Sequence, residues 1–333
     1  MIEEVLPTLY RIEVPLPRNP LKALNSYIIK GPRRNLIIDT GMNREECLSV
    51  MRRGLTALDI DLNATDFFIT HLHADHSGLI TNLATSKSTL YCGERDAEFL
   101  KVDSSDARDG HWQTMVNFAG INGFPQDQLG SALAKHPGYK YGPRGRVEFK
   151  IVRERDTIAA GDFLFECVET PGHTDGHICL YDRQKKLLLS GDHILGNITP
   201  VISAWSDNRN PLREYLASLD KIRNLDIALV LPGHRHFVKD CKARIRELQD
   251  HHEARAAEVV SILKNGEQDA YQVASQMTWD IDAESWDLFP TAQKWFALGE
   301  AIAHLNYVEE QGIIVRQVGL AKSGSVHHRY TLS

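Results

Sequence analysis

Residues 67–78, FFITHLHADHSG, constrain the fold more than any other stretch of this chain. An apolar run that has to be buried is followed at once by three histidines and an aspartate within six residues. In an extended segment alternate side chains face the same way, so His71 and His73 can offer two imidazoles to one ion. Asp75 and His76, in the turn that leaves the strand, can point to a second. A metal site of useful affinity needs at least three protein ligands, so this cluster is incomplete by itself.

Three other places supply the remainder, each at the end of an apolar run. TPGHT at 170–174 follows FLFECVE, SGDH at 190–193 follows KLLL, and LPGH at 231–234 follows IALV. A glycine beside each candidate ligand lets the backbone turn sharply where the strand ends. Four strand ends meeting at one sheet edge would gather five histidines and two aspartates. His193, next to Asp192, would face the other side of its strand and is not expected to ligate. His111, His136, His251, His252, His327 and His328 lie outside these motifs and are read as surface or core residues.

Strand-like and helix-like segments alternate through the first 240 residues, the pattern of an α/β layered core. Two of these segments read alike. NSYIIKGPRRNLIIDTG (25–41) gives an apolar strand, a polar turn, a second apolar strand and then Asp39; HICLYDRQKKLLLSGD (177–192) gives the same order and ends on Asp192. Each has the turn chemistry of a β-hairpin, and their likeness suggests two related halves. Helices are expected over 44–58 and 211–224. Residues 94–145 interrupt the rhythm as a helical insertion, a segment suited to a lid. Helix candidates over 239–264, 272–277 and 290–311 then precede a two-stranded ribbon in GIIVRQVGLAKSGSVHHRYTLS. Three helices and a hairpin are the order of a winged-helix-like domain, so the chain is divided into 1–240 and 241–333.

Composition excludes several classes. With 333 residues, 42% hydrophobic and 25% charged, the chain resembles an ordinary soluble protein of two domains. No apolar run approaches the ~20 residues needed to cross a bilayer, and MIEEVLPTLY has neither the basic lead nor the apolar stretch of a signal peptide. A cytoplasmic protein with no membrane partner is expected. The five cysteines are odd in number and lack a CxxC pair, which leaves ligation to histidine and carboxylate.

THLHADH, TPGHT, SGDH and LPGH, in this order, resemble the metal-binding motifs of the metallo-β-lactamase superfamily of binuclear hydrolases, over roughly residues 1–240. The resemblance implies an αββα sandwich of two mixed β-sheets with helices outside, built from two similar halves; the mainly helical, winged-helix-like domain read above would follow it. It also implies that His71, His73 and His173 hold one metal, that Asp75, His76 and His234 hold a second, and that Asp192 bridges them. Asp75 and Asp192 are then the side chains expected to take part in catalysis, and Asp39 orients a ligating imidazole from behind. Two ions about 3.5–4 Å apart can share a hydroxide by lowering the pKa of its parent water toward neutrality. Zn²⁺ suits the nitrogen and oxygen donors best, while Fe and Mn accept the same set.

Departures from the family's branches narrow the substrate. True β-lactamases place cysteine where Asp192 stands, and flavodiiron members place glutamate at the position of His73. The bridging aspartate is similar to the branch of glyoxalase II, lactonases and nucleases. The mitochondrial metallo-β-lactamase-like endoribonuclease is similar in layout, which raises a nucleic-acid phosphodiesterase as the alternative. Mononuclear-iron persulfide dioxygenases share the HxHxDH text and form a third reading. Residues 241–333 carry nine Lys and Arg against thirteen Asp and Glu, a net of −4 within a chain of −6, which disfavours a nucleic-acid partner. A packing or dimerisation role for these residues is preferred. Trp112, Phe118, Phe124, Tyr139, Tyr141 and Trp205 are candidates for an apolar substrate wall or for the insertion's own core. The leading expectation is hydrolysis of a small carbonyl ester, thioester or lactone by metal-bridging hydroxide.

Overall fold

The apolar runs of the first half of the chain form a seven-stranded sheet whose spatial order is the chain order: β1 (Ile2–Leu6), β2 (Leu9–Pro15), β3 (Ala23–Ile29), β4 (Asn35–Ile38), β5 (Thr65–Ile69), β6 (Leu90–Gly93) and β7 (Lys150–Val152). A five-stranded sheet follows, made of β8 (Thr157–Ala160), β9 (Phe163–Glu169), β10 (Ile178–Asp182), β11 (Leu187–Gly191) and β12 (Leu229–Pro232), again adjacent in chain order. Strands β1 to β4 pair antiparallel, and β4 pairs parallel with β5. Strands β8 to β11 likewise pair antiparallel, and β11 pairs parallel with β12. The same five-strand pattern is thus used twice. Both hairpins expected from the sequence are the antiparallel pairs β3–β4 and β10–β11.

The helices are α1 (Glu45–Ala57), α2 (Ala74–Ser77), α3 (Ile80–Leu83), α4 (Glu94–Leu100), α5 (Ser105–Ile121), α6 (Gln126–Lys135), α7 (Pro137–Tyr141), α8 (Pro211–Arg223), α9 (Cys241–Leu263), α10 (Ala270–Gln276) and α11 (Thr291–Glu310). An antiparallel hairpin, β13 (Ile314–Leu320) with β14 (Val326–Leu332), closes the chain. Helices α4 to α7 lie within residues 94–145, and three helices and a hairpin follow residue 240. This computed structural model describes residues 1–101, 105–320 and 326–333. Among them no helix is long and apolar enough to cross a membrane.

The chain folds as two compact units: Met1–Ser104, Tyr141–Pro200 and Ser218–Ile245 in one, and Ser105–Lys140, Val201–Ala217 and Arg246–Ser333 in the other. Two apolar layers build the first. Cys47, Met51 and Leu55 of α1 pack with Ile12, Val14, Ile28, Ile37, Phe67 and Ile69 on one face of the large sheet. On its other face Tyr27, Ile29, Ile38 and Phe68 meet Phe165, Cys167, Leu180, Leu189 and Leu231 of the small sheet. Strand β5 therefore buries successive side chains on opposite faces, as period two requires for a strand covered on both sides. In the second unit Phe124 packs edge-on against Tyr271 and Trp295, while Trp205 stacks on Trp295 at 4.6 Å.

Phe68 is fully buried in the apolar layer between the sheets. Phe68→Ala is expected to destabilise the fold by roughly 3–5 kcal/mol, read as a shift of the urea midpoint at constant slope.

Candidate metal centre

Strand ends deliver the polar residues. His71 and His73 follow β5, and α2 begins directly afterwards, so that Asp75 and His76 lie in its single turn. His173 lies in the loop after β9, Asp192 follows β11, and His234 follows β12. The doubled five-strand pattern explains the gathering: β4 and β11 end on Asp39 and Asp192, while the parallel strands β5 and β12 end on the histidine loops. All seven residues named from the sequence come together. His71 Nε2 and His173 Nε2 stand 3.1 and 3.0 Å from His73 Nδ1. His76 Nε2 stands 3.3 Å from His234 Nε2, which is 3.4 Å from Asp75 Oδ2. Three groups of ligating atoms, each within 4.8 Å, result: His71, His73 and His173; Asp75, His76 and His234; and His71, His76 and Asp192.

Hydrogen bonds at the outer ring nitrogens fix which nitrogen faces inward. Asp39 Oδ2 accepts from His76 Nδ1 at 2.7 Å and from the Thr70 hydroxyl at 2.8 Å. That hydroxyl can in turn accept from His71 Nδ1 at 3.0 Å, so Asp39 orients two imidazoles, one directly and one through Thr70. Asp39 Oδ1 also accepts the Thr70 backbone N–H. His234 Nδ1 donates to the Ala23 carbonyl at 2.7 Å, which turns its Nε2 inward.

Four residues support the ligands from behind, and of these only Gly233 figured in the sequence reading. Thr70 is the relay just described. Asn25 of β3 donates through its amide to the Pro232 and Arg235 carbonyls on either side of the His234 loop. His177 accepts the Asp192 backbone N–H at Nε2 and is bonded to the Thr170 hydroxyl at Nδ1, which fixes the turn carrying Asp192. It stands four residues after His173 in TPGHTDGH, and this spacing was the available signal. Gly233 is the fourth: a Cβ there would lie 2.6 Å from Asp192 Oδ1 and 2.7 Å from His76 Cε1, so the strand end approaches this closely because it lacks one.

The donor set fits metal ions. Ring nitrogens and carboxylate oxygens converge in three groups within 4.8 Å, and Asp192 Oδ1, 3.4 Å from His76 Nε2, is buried without a hydrogen bond. A buried carboxylate oxygen in that condition needs a cation. Burial, reinforced by neighbouring imidazoles, keeps His71 well below its ordinary pKa and lowers His73 to about 3. Burial pulls His76 and His234 the same way, yet carboxylates outweigh it. Asp39 and Asp192 hold His76 well above the ordinary range, and Asp192 with Asp75 raises His234 to about 10. Burial pushes Asp75 up, but the His234 hydrogen bond prevails and lowers it to about 2.

His193 is buried 6.1 Å from the His177 ring and belongs to none of the three groups. The aromatic candidates for a substrate wall do otherwise. Trp112, Phe118 and Phe124 are buried within the second unit, and Trp205 is stacked on Trp295 there, so these four serve that unit's core. Tyr139 is exposed, and Tyr141 lies under the Arg44 guanidinium.

Residues 21–234 match the sequence model of the Metallo-beta-lactamase superfamily. The chain belongs to that superfamily. It is similar to a probable metallo-hydrolase, YqjP, of Bacillus subtilis, 26% identical over 86% of this chain and 88% of that protein. An atrochrysone carboxyl ACP thioesterase of Aspergillus fumigatus is 22% identical over 78% of this chain and 69% of its own length. Among solved structures, a metallo-beta-lactamase family protein of Thermus thermophilus superposes with a TM-score of 0.79 at 25% identity, covering 99% of this chain and 100% of that one. Membership in the metallo-β-lactamase superfamily makes this a metal-binding hydrolase fold, with the His and Asp groups compatible with divalent ions.

Metal ligands must be deprotonated, so ions entering this site displace the protons that Asp39, Asp75 and Asp192 hold on His76 and His234. The sign follows: protons compete more strongly as pH falls through about 10, the value for His234. Adding Zn²⁺ to chelator-stripped protein at pH 8 should release protons, read with a pH indicator in dilute buffer, and apparent affinity should rise from pH 6.5 to 8.5. Uptake without proton release would contradict this electrostatic picture.

Proposed function

We propose that this superfamily member is a binuclear metallohydrolase acting on a carbonyl ester, thioester or lactone of a small molecule. The observation that carries the reading is the placement of Asp192. Its Oδ2 lies 3.7 Å from His173 Nε2 and 3.4 Å from His234 Nε2, within reach of ligands from both half-sites. His71, His73 and His173 would hold one ion, Asp75, His76 and His234 the other, and Asp192 would be shared. Zn²⁺ suits this donor set best, with Fe or Mn accepted by the same atoms. When bound, two divalent ions supply Lewis-acid polarisation of the carbonyl oxygen and a water acidic enough to furnish the nucleophile near neutral pH.

The chain's own residues do the rest. Asp39 keeps the inner nitrogens of His76 and, through Thr70, of His71 aimed inward. Asp75 is ionised at neutral pH and is the more open of the two carboxylates, its side chain 12% exposed against 7% for Asp192. Of the two it is the one placed to pass a proton outward to solvent. The thioesterase named among the relatives acts on an acyl carbonyl with a related chain, which supports an ester-type substrate. The net charge of −6, and of −4 over 241–333, supports a small molecule over a polyanion. On this reading residues 1–240 carry the chemistry, and residues 241–333 serve packing or homodimer formation.

A substrate panel on the metal-loaded protein tests the proposal. Turnover of at least one thioester or lactone is expected. Asp192→Ala should lower kcat/KM by more than the roughly 10–100-fold usual for groups that only support a ligand. Cleavage of single-stranded RNA with no turnover of any ester-type substrate would replace this reading with a phosphodiesterase.

A further inference from the structure

Asp39 supports His76 directly and His71 through Thr70, whereas the loops that carry His73 and His173 converge on a different carboxylate. We infer that Asp96 is the positioning residue of the half-site formed by His71, His73 and His173. The inference rests on the binuclear reading of the centre. Asp96 lies in the first turn of α4, which follows β6 directly, and its side chain is wholly buried. Its carboxylate accepts three hydrogen bonds. Oδ2 takes the Leu72 backbone N–H at 2.8 Å and the Thr174 hydroxyl at 2.6 Å, while Oδ1 takes the Gly176 backbone N–H at 2.8 Å.

The positions of these donors give the inference its content. Leu72 is the residue between His71 and His73, and Thr174 directly follows His173. One carboxylate thus ties together the two loops that carry all three imidazoles, loops that leave β5 of the large sheet and β9 of the small one. The loops are also pressed against the β6–α4 junction. A Cβ at Gly176 would lie 2.5 Å from the Asp96 backbone nitrogen, and a Cβ at Gly93 would lie 2.1 Å from the Gly176 carbonyl oxygen. The close approach of loop and junction therefore depends on glycine at both positions. A buried carboxylate with no ion pair among the described residues is an expensive way to hold two loops unless their register matters. Three imidazoles linked by nitrogen separations of 3.0 and 3.1 Å are the register that would matter.

Asparagine at 96 would keep the shape but set an amide N–H₂ against a backbone N–H in either orientation, that of Leu72 or that of Gly176. Titration of the stripped, full-length protein with Co²⁺, followed by visible absorption and calorimetry, separates positioning from mere packing. Wild type should take up two ions per chain. Asp96→Asn should keep one near wild-type affinity and weaken the other by roughly 10–100-fold, the weakened ion being the one whose bands are lost in His173→Ala. Thr174→Val should give the same selective weakening in milder form, and Thr174→Ser should restore it; this pair carries the test if Asp96→Asn does not fold. Wild-type affinity for both ions in Asp96→Asn or Thr174→Val, or equal weakening of both, would overturn the role of Asp96. Fewer than two ions in wild type would instead overturn the binuclear reading, and the assignment with it.

Discussion

Burial of ionisable groups at the strand ends is the condition on which the rest of the structure depends. His71, His76, His234, Asp75 and Asp192 are buried, and His73 and His173 nearly so. Isolated imidazoles and carboxylates withdrawn from water in this way are strongly destabilising unless charge and hydrogen bonding compensate. The compensation is arranged in two layers. Inside, carboxylates face imidazoles, with Asp192 opposite both His173 and His234. Outside, each outer ring nitrogen that the fold engages meets a group tied to the backbone, such as Asp39 or the Ala23 carbonyl. Cations would take the place of the protons these carboxylates hold on the imidazoles, and would reach Asp192 Oδ1, which has no hydrogen bond.

The architecture makes this concentration feasible. A three-times antiparallel, once parallel strand pattern, used twice, brings two strand ends with aspartate and two with histidine loops to one side of a sandwich. Apolar layers on both faces of the large sheet hold those ends against the pull of solvation. Hydrogen bonds from Asn25 across to the His234 loop, and from both loops to Asp96, fasten one sheet's contribution to the other's. Precision at the centre is therefore a property of the whole sandwich.

Much of this was legible in the sequence because it is local. Strand, turn and ligand succeed one another within a few residues, and the four motifs name the seven side chains that the fold gathers. Hairpins and helix cores were recovered for the same reason, with ends displaced by a residue or two: the helix expected over 44–58 spans Glu45–Ala57. The supporting groups were not legible, because Asn25, Thr70, Asp96 and His177 act through partners up to 210 residues away or through backbone atoms that a sequence does not display. The aromatics of the insertion were ambiguous for a related reason. Trp112, Phe118 and Phe124 have the composition of a binding wall, and their burial, with Phe124 set against Trp295 and Tyr271, makes them core.

Anomalous diffraction from crystals of the metal-loaded protein tests the central claim most directly. Two peaks are expected, one at about 2.0–2.2 Å from the inner nitrogens of His71, His73 and His173, the other equally close to Asp75, His76 and His234, with Asp192 touching both. A single peak, or two peaks of which neither contacts Asp192, would contradict the binuclear centre.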